Sequence, residues 1–144
     1  DLDAAAEDLD RALARRPEWA AAWRQRGFAS RDRAKMIASF SRAIALDPGD
    51  ADSLAARGRA YFAGGDNAHA RADLDAALAI VPGDAEWHGE RGLFAISAGD
   101  DAAALRDFRE CARLEPRCAQ AFAGRITAVE AAQGRPPRDW FAGP

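Results

Sequence analysis

Proline and glycine recur at a fixed interval along this chain of 144 residues. Pro48, Pro82 and Pro116 follow one another at steps of 34 residues, and Gly58 and Gly92 are separated by the same step. Once a single loss of three residues is allowed for, apolar residues keep this register in three further columns: Leu9, Phe40, Leu74 and Phe108; Ala12, Ala43, Ala77 and Cys111; Ala5, Met36, Ala70 and Ala104. Such self-similarity indicates a stack of copied supersecondary units, each burying its apolar face only against its neighbours.

One copy, from Ala51 to Asp84, indicates what each unit contains. Apolar residues recur at helical spacing before and after Gly64-Gly65-Asp66, and the second run ends at Pro82. This pattern predicts two antiparallel helices joined by short turns. Aspartates stand just before the predicted helices, where their side chains can cap free backbone N–H groups. The expected caps are Asp50, Asp66, Asp84 and Asp100.

Gly27, Gly58 and Gly92 recur at one position inside the first helix of each unit. A Gly inside a helix costs about 1 kcal/mol relative to Ala, so its recurrence indicates a compensating gain. Without a side chain at this position, the second helix can pack directly against the backbone of the first. We therefore predict close helix–helix contact at each of these glycines.

Composition limits the core and the partners that this chain can have. Hydrophobic residues make up 49% of the chain, but many are Ala and only 8% are aromatic, which favours thin layers of helices over one thick core. The net charge of −3 is spread over interleaved acids and arginines, so nucleic acid is not expected as a partner. No apolar run approaches the roughly 20 residues that span a bilayer, so membrane insertion is not expected either.

With these columns in view, the chain resembles the tetratricopeptide repeat (TPR) family over residues 1–134. That family has a bulky residue, Gly and Tyr in the first helix, here Leu54, Gly58 and Tyr61, and Ala, an aromatic residue and Pro in the second. The resemblance implies an all-α fold, a right-handed superhelical solenoid of antiparallel helix pairs. It also implies a concave groove, lined by the first helices, that receives an extended or helical segment of another protein.

The repeat register divides residues 1–134, a single predicted solenoid, into five parts. The parts are 1–17, the second helix of a partial repeat; 18–50, 51–84 and 85–118, complete repeats; and 119–134, the first helix of a further partial repeat. The repeat at 18–50 is short by three residues, and the loss falls between Gly27 and Asp32. Either the first helix lost nearly one turn there, or three residues are absent near Ser30 and Arg31.

The last predicted helix carries an apolar stripe of Phe122, Ile126 and Val129 that would lie bare at the end of a stack. Terminal repeats of such stacks need a cover. Residues 135–144 are therefore predicted to form a cap that lays Trp140 and Phe141 over the stripe, or the stub of a further helix. A flexible linker is the alternative.

Arginines precede the column glycines, and aspartates form a column on the second helices. These residues are Arg26, Arg57 and Arg91, and Asp8, Asp73 and Asp107. A half-buried Arg needs an anionic partner. Pairing within a repeat would join Arg57 to Asp73 and Arg91 to Asp107, whereas pairing to the preceding repeat would join Arg26 to Asp8 and Arg91 to Asp73. We favour the first scheme and interpret the pairs as structural.

No group of residues has the spacing of a catalytic or metal site. Cys111 and Cys118, with His69 and His88, lack the spacing of metal ligands, and no catalytic triad order, phosphate-binding Gly loop or HExxH motif occurs. We therefore expect no enzyme activity, no metal and no cofactor. Cys111 falls in an Ala column and is interpreted as a small buried residue, and two Cys do not predict a disulfide framework.

Side chains on the first helices that point away from their packing face would line the implied groove. The predicted groove residues are Arg24, Phe28, Asp52, Arg59, Phe62, Glu86, Glu90, Leu93 and Thr127. Acids flanked by arginines and apolar side chains indicate a ligand with basic and apolar side chains. Chaperone-binding members of the family use Lys, Arg and Asn at such places to bind a terminal carboxylate, so the acids here argue against that class of partner.

These features predict a scaffold or adaptor that binds a peptide or protein segment in a concave groove. The alternative is an architectural or self-associating segment of a longer repeat protein, with no dedicated groove ligand. A cytoplasmic location is favoured. The chain begins at Asp1, without Met and inside a repeat, so a preceding signal and a longer polypeptide both stay open.

Overall fold

The computed structural model describes residues 2–132 and Gly134, and all regular structure in them is α-helical. The helices, joined by short turns, are α1 Leu2–Arg15, α2 Ala20–Ala29, α3 Arg33–Leu46, α4 Ala51–Ala63, α5 Asn67–Ile80, α6 Ala85–Ser97, α7 Asp101–Leu114 and α8 Pro116–Ala132. The prediction of an all-α fold built from paired helices is confirmed. Among the described residues, every helix is too short or too polar to cross a bilayer.

Aspartate side chains cap most of these helices at their N-terminal ends. Each carboxylate accepts a hydrogen bond from the backbone N–H three residues ahead, at 2.9 to 3.1 Å. The capping residues are Asp32, Asp50, Asp66, Asp84 and Asp100. A cap of this kind contributes about 1 kcal/mol, so local chemistry decides where these helices begin. The four predicted caps are confirmed, and Asp32 is a further one.

The helices form two compact units, Asp1–Pro82 and Gly83–Pro144. In the first unit α1 packs on α2, α2 on α3, α3 on α4 and α4 on α5, and in the second α6 packs on α7 and α7 on α8. Residues of the repeat columns fill both cores. Those that are 0% exposed are Phe40, Ala43, Ala70, Leu74 and Ala77 in the first unit, and Ala104, Phe108 and Cys111 in the second. The period read from the sequence therefore marks the packing positions.

The column glycines let paired helices approach closely. A Cβ atom would lie 2.5 Å from the Phe40 ring at Gly27, and 2.6 Å from the Phe108 ring at Gly92. At Gly58 it would lie 3.0 Å from the carbonyl oxygen of a residue on α5. Real Cβ contacts do not fall below 3.0 Å, so Gly27 and Gly92 exclude a side chain in the present packing, and at Gly58 the neighbouring backbone would have to move by a few tenths of an ångström. The predicted close contact is confirmed.

Replacing Gly92 by Ala is expected to lower the free energy of unfolding by about 1–2 kcal/mol. Overpacking against the buried Phe108 ring costs about 1–3 kcal/mol, and the better helix propensity of Ala returns up to about 1 kcal/mol. Gly124→Ala is the matched control, because Gly124 lies in α8 with nothing within 4 Å of a built Cβ atom. It should stabilise the protein by about 0.5–1 kcal/mol. Urea unfolding measures both, and equal stabilisation by the two changes would contradict the packing argument.

The three-residue loss in the second repeat lies inside a helix. Helix α2 has 10 residues, whereas α4 and α6 each have 13. The connections Ser30–Asp32 and Gly64–Asp66 are equally long, so the loops do not account for the difference. The short α2 is what the first alternative, loss of nearly one turn from this helix, predicts.

Helix α8 begins at Pro116, three residues before the predicted start at Ala119. Pro is favoured at the first helical position, where its missing N–H has no helical partner to lose. The prediction that the apolar stripe on this helix lies bare is wrong for Ile126 and Val129, which are buried in a cluster with residues of α6 and α7. They are covered because α8 packs on α7 of the same unit.

The cap predicted for residues 135–144 falls outside the described residues. The same holds for Trp140 and Phe141, to which the cover was assigned. The prediction therefore stays a prediction, and the buried state of Ile126 and Val129 removes part of the reason for it.

Candidate functional site

Two bidentate Arg–Asp pairs brace the helix pairs that carry the predicted groove residues. Arg57 donates from Nε and Nη2 to Asp73 at 2.8 and 2.7 Å, and Arg91 donates in the same way to Asp107 at 2.9 and 2.6 Å. Both aspartates are only 6% exposed. Hydrogen bonding to the Asp73 carboxylate raises the pKa of Arg57. Pairing within a repeat is confirmed for both arginines, and each pair joins the first helix of its repeat to the second.

Arg26 departs from both predicted pairing schemes. Its guanidinium pairs with Asp10 on α1 and also donates to Ser39 Oγ at 2.9 Å. Ser39 occupies the column of the paired aspartates but carries no charge. The negative charge that pairs with Arg26 therefore comes from Asp10 on the preceding helix. Asp8, the predicted partner from the preceding repeat, pairs instead with Arg11 on its own exposed helix.

In the first unit, Arg24 is held by two aspartates at the start of α4. Its Nη1 lies 3.0 Å from Asp50 and 3.9 Å from Asp52. Burial alone would raise the pKa of Asp50, but hydrogen bonds from Ser53 and the Arg24 guanidinium bring this pKa below its ordinary value. Arg24 therefore supports the cap of α4, whereas Asp52, with a side chain that is 68% exposed, presents its charge to solvent.

The rest of the predicted groove face on α4 is partly closed. Ala55 and Ala56, which share a helix face with Asp52 and Arg59, are only 1% and 4% exposed, so the predicted groove face is not open along its whole length. Arg59 and Phe62, farther along the helix, are half-buried. These side chains pack within the unit because the layers of small residues leave little space between neighbouring helices.

Phe28 is the predicted groove residue of this unit with the largest exposed apolar surface. Its side chain is 48% exposed, and its ring meets the buried Phe40 ring edge-on with centroids 5.0 Å apart. It lies at the shortened end of α2, where the lost turn leaves the ring uncovered. The first unit therefore offers an exposed acid on α4 and an exposed aromatic ring on α2.

The second unit contains a cleft of about 370 Å³ formed by α6, the end of α7 and the start of α8, which we call the acidic cleft. Its lining residues are Glu86, Glu90, Leu93, Cys111, Glu115, Arg117, Cys118, Ala121 and Phe122. Three of the predicted site residues, Glu86, Glu90 and Leu93, are thus brought together. Three carboxylates face one guanidinium, so the cleft carries net negative charge beside apolar surface.

Phe122 forms one wall of the acidic cleft. Its ring stacks on that of Phe108, with centroids 4.6 Å apart and planes inclined by 16°. It also reaches α6, because a Cβ atom at Gly89 would lie only 2.8 Å from the Phe122 ring and 3.2 Å from the sulfur of Cys111. Gly89, which precedes the predicted groove residue Glu90 on α6, is a buried packing position.

Cys111 and Cys118 are joined by a disulfide, with their Cα atoms 5.5 Å apart. The interpretation of Cys111 as a small buried residue is confirmed, whereas the expectation that the two Cys do not form a disulfide framework is wrong for this one bond. Cys111 lies near the end of α7 and Cys118 near the start of α8, and the turn between the helices brings the two together. The register offered a signal, because Cys118 follows the capping residue Asp84 by one full step of 34 residues.

Thr127 is the predicted site residue of the second unit that does not line the cleft. It is exposed, and its hydroxyl donates to the carbonyl oxygen of Ala123 within α8 at 3.0 Å. Sequence reasoning missed Glu115, Arg117 and the disulfide, because they lie at a repeat junction that departs from the Pro-Gly-Asp pattern of Pro48 and Pro82. Across residues 2–132 and Gly134, no group of His, Cys, Asp and Glu side chains is placed to hold a metal ion.

The comparisons with known proteins agree with this architecture. The tetratricopeptide repeat family model matches residues 28–90. No curated protein matches the chain in sequence. A crystal structure of MamA superposes with a TM-score of 0.87 at 21% identity, covering 93% of this chain and 80% of that one.

Two further solved structures have the same fold. The first TPR of Spaghetti (RPAP3), bound to the HSP90 peptide SRMEEVD, has a TM-score of 0.72 at 20% identity and covers 80% of this chain and 93% of its own. TTC0263, a thermophilic TPR protein of Thermus thermophilus, has a TM-score of 0.72 at 19% identity, covering 90% of this chain and 73% of that one. The tetratricopeptide repeat family model thus matches the middle of the chain, and the chain shares the fold of solved TPR proteins.

Proposed function

We propose that this chain is a protein-binding scaffold whose second unit holds a segment of a partner protein with basic and apolar side chains. The observation that carries the proposal is the acidic cleft, in which Glu86, Glu90 and Glu115 surround Leu93 and the ring of Phe122. An Arg or Lys side chain has a charged head for the carboxylates and an aliphatic stem for the apolar wall. A segment that offers such side chains therefore complements both features of the cleft.

Charge distinguishes this proposed ligand from the one seen on a protein of similar fold. The TPR of Spaghetti (RPAP3) is bound to the peptide SRMEEVD, in which acidic side chains outnumber basic ones. The carboxylates of the acidic cleft would repel such a segment, because like charges placed together in an interface are unfavourable. We therefore propose a ligand of opposite charge for this chain, bound on the same kind of helical scaffold.

The first unit contributes a second, weaker surface to the proposal. Its exposed acid, Asp52, and exposed ring, Phe28, offer the same combination of negative charge and apolar area. Arg24, which was predicted to place a positive charge beside the groove, pairs with Asp50. It therefore does not fully offset the negative charge of Asp52. Arg59, Phe62 and Thr127 remain proposed contact residues, and no step of the argument rests on them.

Reversing two charges of the cleft with Glu86→Lys and Glu90→Lys is expected to weaken binding of a basic peptide about ten- to a hundred-fold, because attraction becomes repulsion. The probe is a fluorescein-labelled synthetic peptide that alternates Arg and Leu, and fluorescence anisotropy measures its dissociation constant. A second peptide with Glu in place of Arg should bind more weakly to the wild type and more tightly to the variant. Added salt should weaken the wild-type complex.

A charge-matched control separates the cleft from the net charge of the chain. Glu7→Lys and Glu18→Lys together change the net charge by the same amount, at exposed positions on α1 and on the turn that follows it. This variant should bind the Arg-Leu peptide nearly as well as the wild type does. Equal weakening by both double variants, or no binding of the peptide to the wild type, would overturn the proposed function. Size-exclusion chromatography with light scattering on the same samples tests self-association, the alternative role.

A further inference from the structure

The Cys111–Cys118 disulfide stands where the other repeats use an aspartate cap. Asp50 and Asp84 each cap the first helix of the following repeat, accepting from the N–H groups of Ser53 and Trp87 at 3.1 and 2.9 Å. One repeat further on, the same column holds Cys118. Its bonding partner Cys111 occupies a column that is otherwise Ala. Both unusual residues of this repeat thus take part in a single covalent bond.

The bond is a covalent restraint on the first turn of α8. Because α8 begins at Pro116, three residues earlier than the register predicts, Cys118 is the third residue of this helix and the disulfide ties the first turn directly to the end of α7. Backbone hydrogen bonds support the same turn: the N–H of Glu115 donates to the carbonyl of Cys111 at 2.9 Å, and that of Cys118 to the carbonyl of Glu115 at 3.0 Å. The apolar contacts between α8 and α7 lie farther along α8, at Phe122, Ile126 and Val129.

The same bond forms part of the acidic cleft. Both cysteines line it, between Glu86 and Glu90 on α6 and Phe122 on α8. The sulfur of Cys118 also lies 3.8 Å from the carbonyl oxygen of Ala85 at the start of α6. Movement of the first turn of α8 would therefore displace one wall of the cleft relative to the carboxylates of α6.

We propose that the acidic cleft is redox-conditional, formed while Cys111 and Cys118 are bonded and lost when a dithiol reduces them. A thiolate of the dithiol attacks one sulfur of the bond and gives a mixed disulfide, and its second thiolate then displaces the protein thiol. Two electrons and two protons pass to the protein, which ends with two thiols, and the dithiol ends as a disulfide. The reductant approaches through the cleft at Cys118, which is 9% exposed, whereas Cys111 is 0% exposed. Only the consequence for ligand binding rests on the proposed function.

Hydrogen exchange tests the structural part of the proposal without any ligand. Amides of residues 117–121 in the full chain should exchange at least about ten-fold faster after reduction with dithiothreitol, because the first turn opens more often. Amides of α4 and α5 in the first unit should not change. Mass spectrometry after alkylation counts the free thiols in each state. Absence of the bond from air-oxidised protein, or equally slow exchange before and after reduction, would overturn the proposal.

Two double variants distinguish the bond from the side chains that form it. Cys111→Ala with Cys118→Asp removes the bond and places an aspartate at the third residue of α8, where it cannot cap the helix, so its first turn should exchange fast with and without dithiothreitol. Cys111→Ala with Cys118→Ser removes the bond with little change in volume and should exchange fast in both conditions. Slow exchange in the serine variant would contradict the proposal, and the reduced wild type gives the same test if either variant fails to fold.

The Arg-Leu peptide then tests the functional consequence. It should bind oxidised wild type, and bind reduced wild type and the two double variants at least about ten-fold more weakly, as a displaced cleft wall requires. If exchange responds to reduction but the peptide binds neither state, the proposed ligand is wrong and the redox-conditional cleft stands. If exchange responds and the peptide binds both states equally, redox-conditional binding is overturned and the scaffold function stands.

Discussion

Replacing Phe108 by Ala is expected to lower the free energy of unfolding by about 3–5 kcal/mol, the usual cost of truncating a buried Phe. Phe108 is 0% exposed, and its ring fills the space against Gly92 on α6 while stacking on Phe122 of α8. The cavity left behind cannot close easily, because helix backbones bound it on either side. Urea unfolding monitored by circular dichroism measures the loss.

Two comparisons make this result specific to the packing of Phe108. Phe28→Ala removes a ring that is 48% exposed and should cost less than about 1.5 kcal/mol. In the Phe108→Ala background, Gly92→Ala should become neutral or stabilising by up to about 1 kcal/mol, because its clash partner is gone and helix propensity remains. If Gly92→Ala costs the same in both backgrounds, the ring contact does not explain the glycine.

Replacing Asp107 by Ala is expected to cost about 3 kcal/mol, at the lower end of what breaking a buried ion pair costs, because the Arg91 side chain is 24% exposed. The change leaves that guanidinium without its bidentate carboxylate and removes the acid that lies 3.5 Å from Nδ1 of the buried His88. Urea unfolding at neutral pH measures the effect. Because Asp107 sits in the wall between α6 and α7, exchange of amides in α6 should also accelerate.

Asp8→Ala is the control for this second prediction. Asp8 pairs with Arg11, but the two side chains are 70% and 74% exposed, and exposed pairs of this kind contribute about 0–1 kcal/mol. A small effect at Asp8 and a large one at Asp107 would assign the stabilisation to burial and bidentate geometry. Similar effects at both positions would contradict the role given to the Arg91–Asp107 pair.

Features that depend on neighbours in the chain could be read from the sequence. Asp50, Asp66, Asp84 and Asp100 act as caps because each reaches an N–H group only three residues ahead. The close approach at Gly58 and Gly92 could also be predicted, since the 34-residue period assigns equivalent positions to equivalent contacts. Copying one unit along the chain copies its local interactions, so a single repeat carried most of the information about the fold.

The candidate site could be predicted less completely from the sequence than the fold could, because the site depends on positions at which the repeats differ from one another. Glu86, Glu90 and Leu93 could be placed on one face of α6 by helical periodicity, but Phe122 was assigned to a bare stripe. Its ring crosses to α6 only because Gly89 leaves room for it. Glu115 and Arg117 belong to a turn with no counterpart in the other repeats. Where the sequence departs from the repeat period, no other repeat indicates which residues come into contact. The contacts of such residues therefore cannot be inferred from the columns.

The sequence by itself determined the helix pairs, their caps and the glycines at which they touch, because these follow from interactions over a few residues repeated at one interval. Only the tertiary structure decided between the two pairing schemes of the arginines, joined Cys111 to Cys118, and gathered three glutamates around Phe122. Each of these outcomes depends on distances between helices. A periodic pattern is compatible with several pairs of residues, and only the packing of the helices brings one of those pairs into contact.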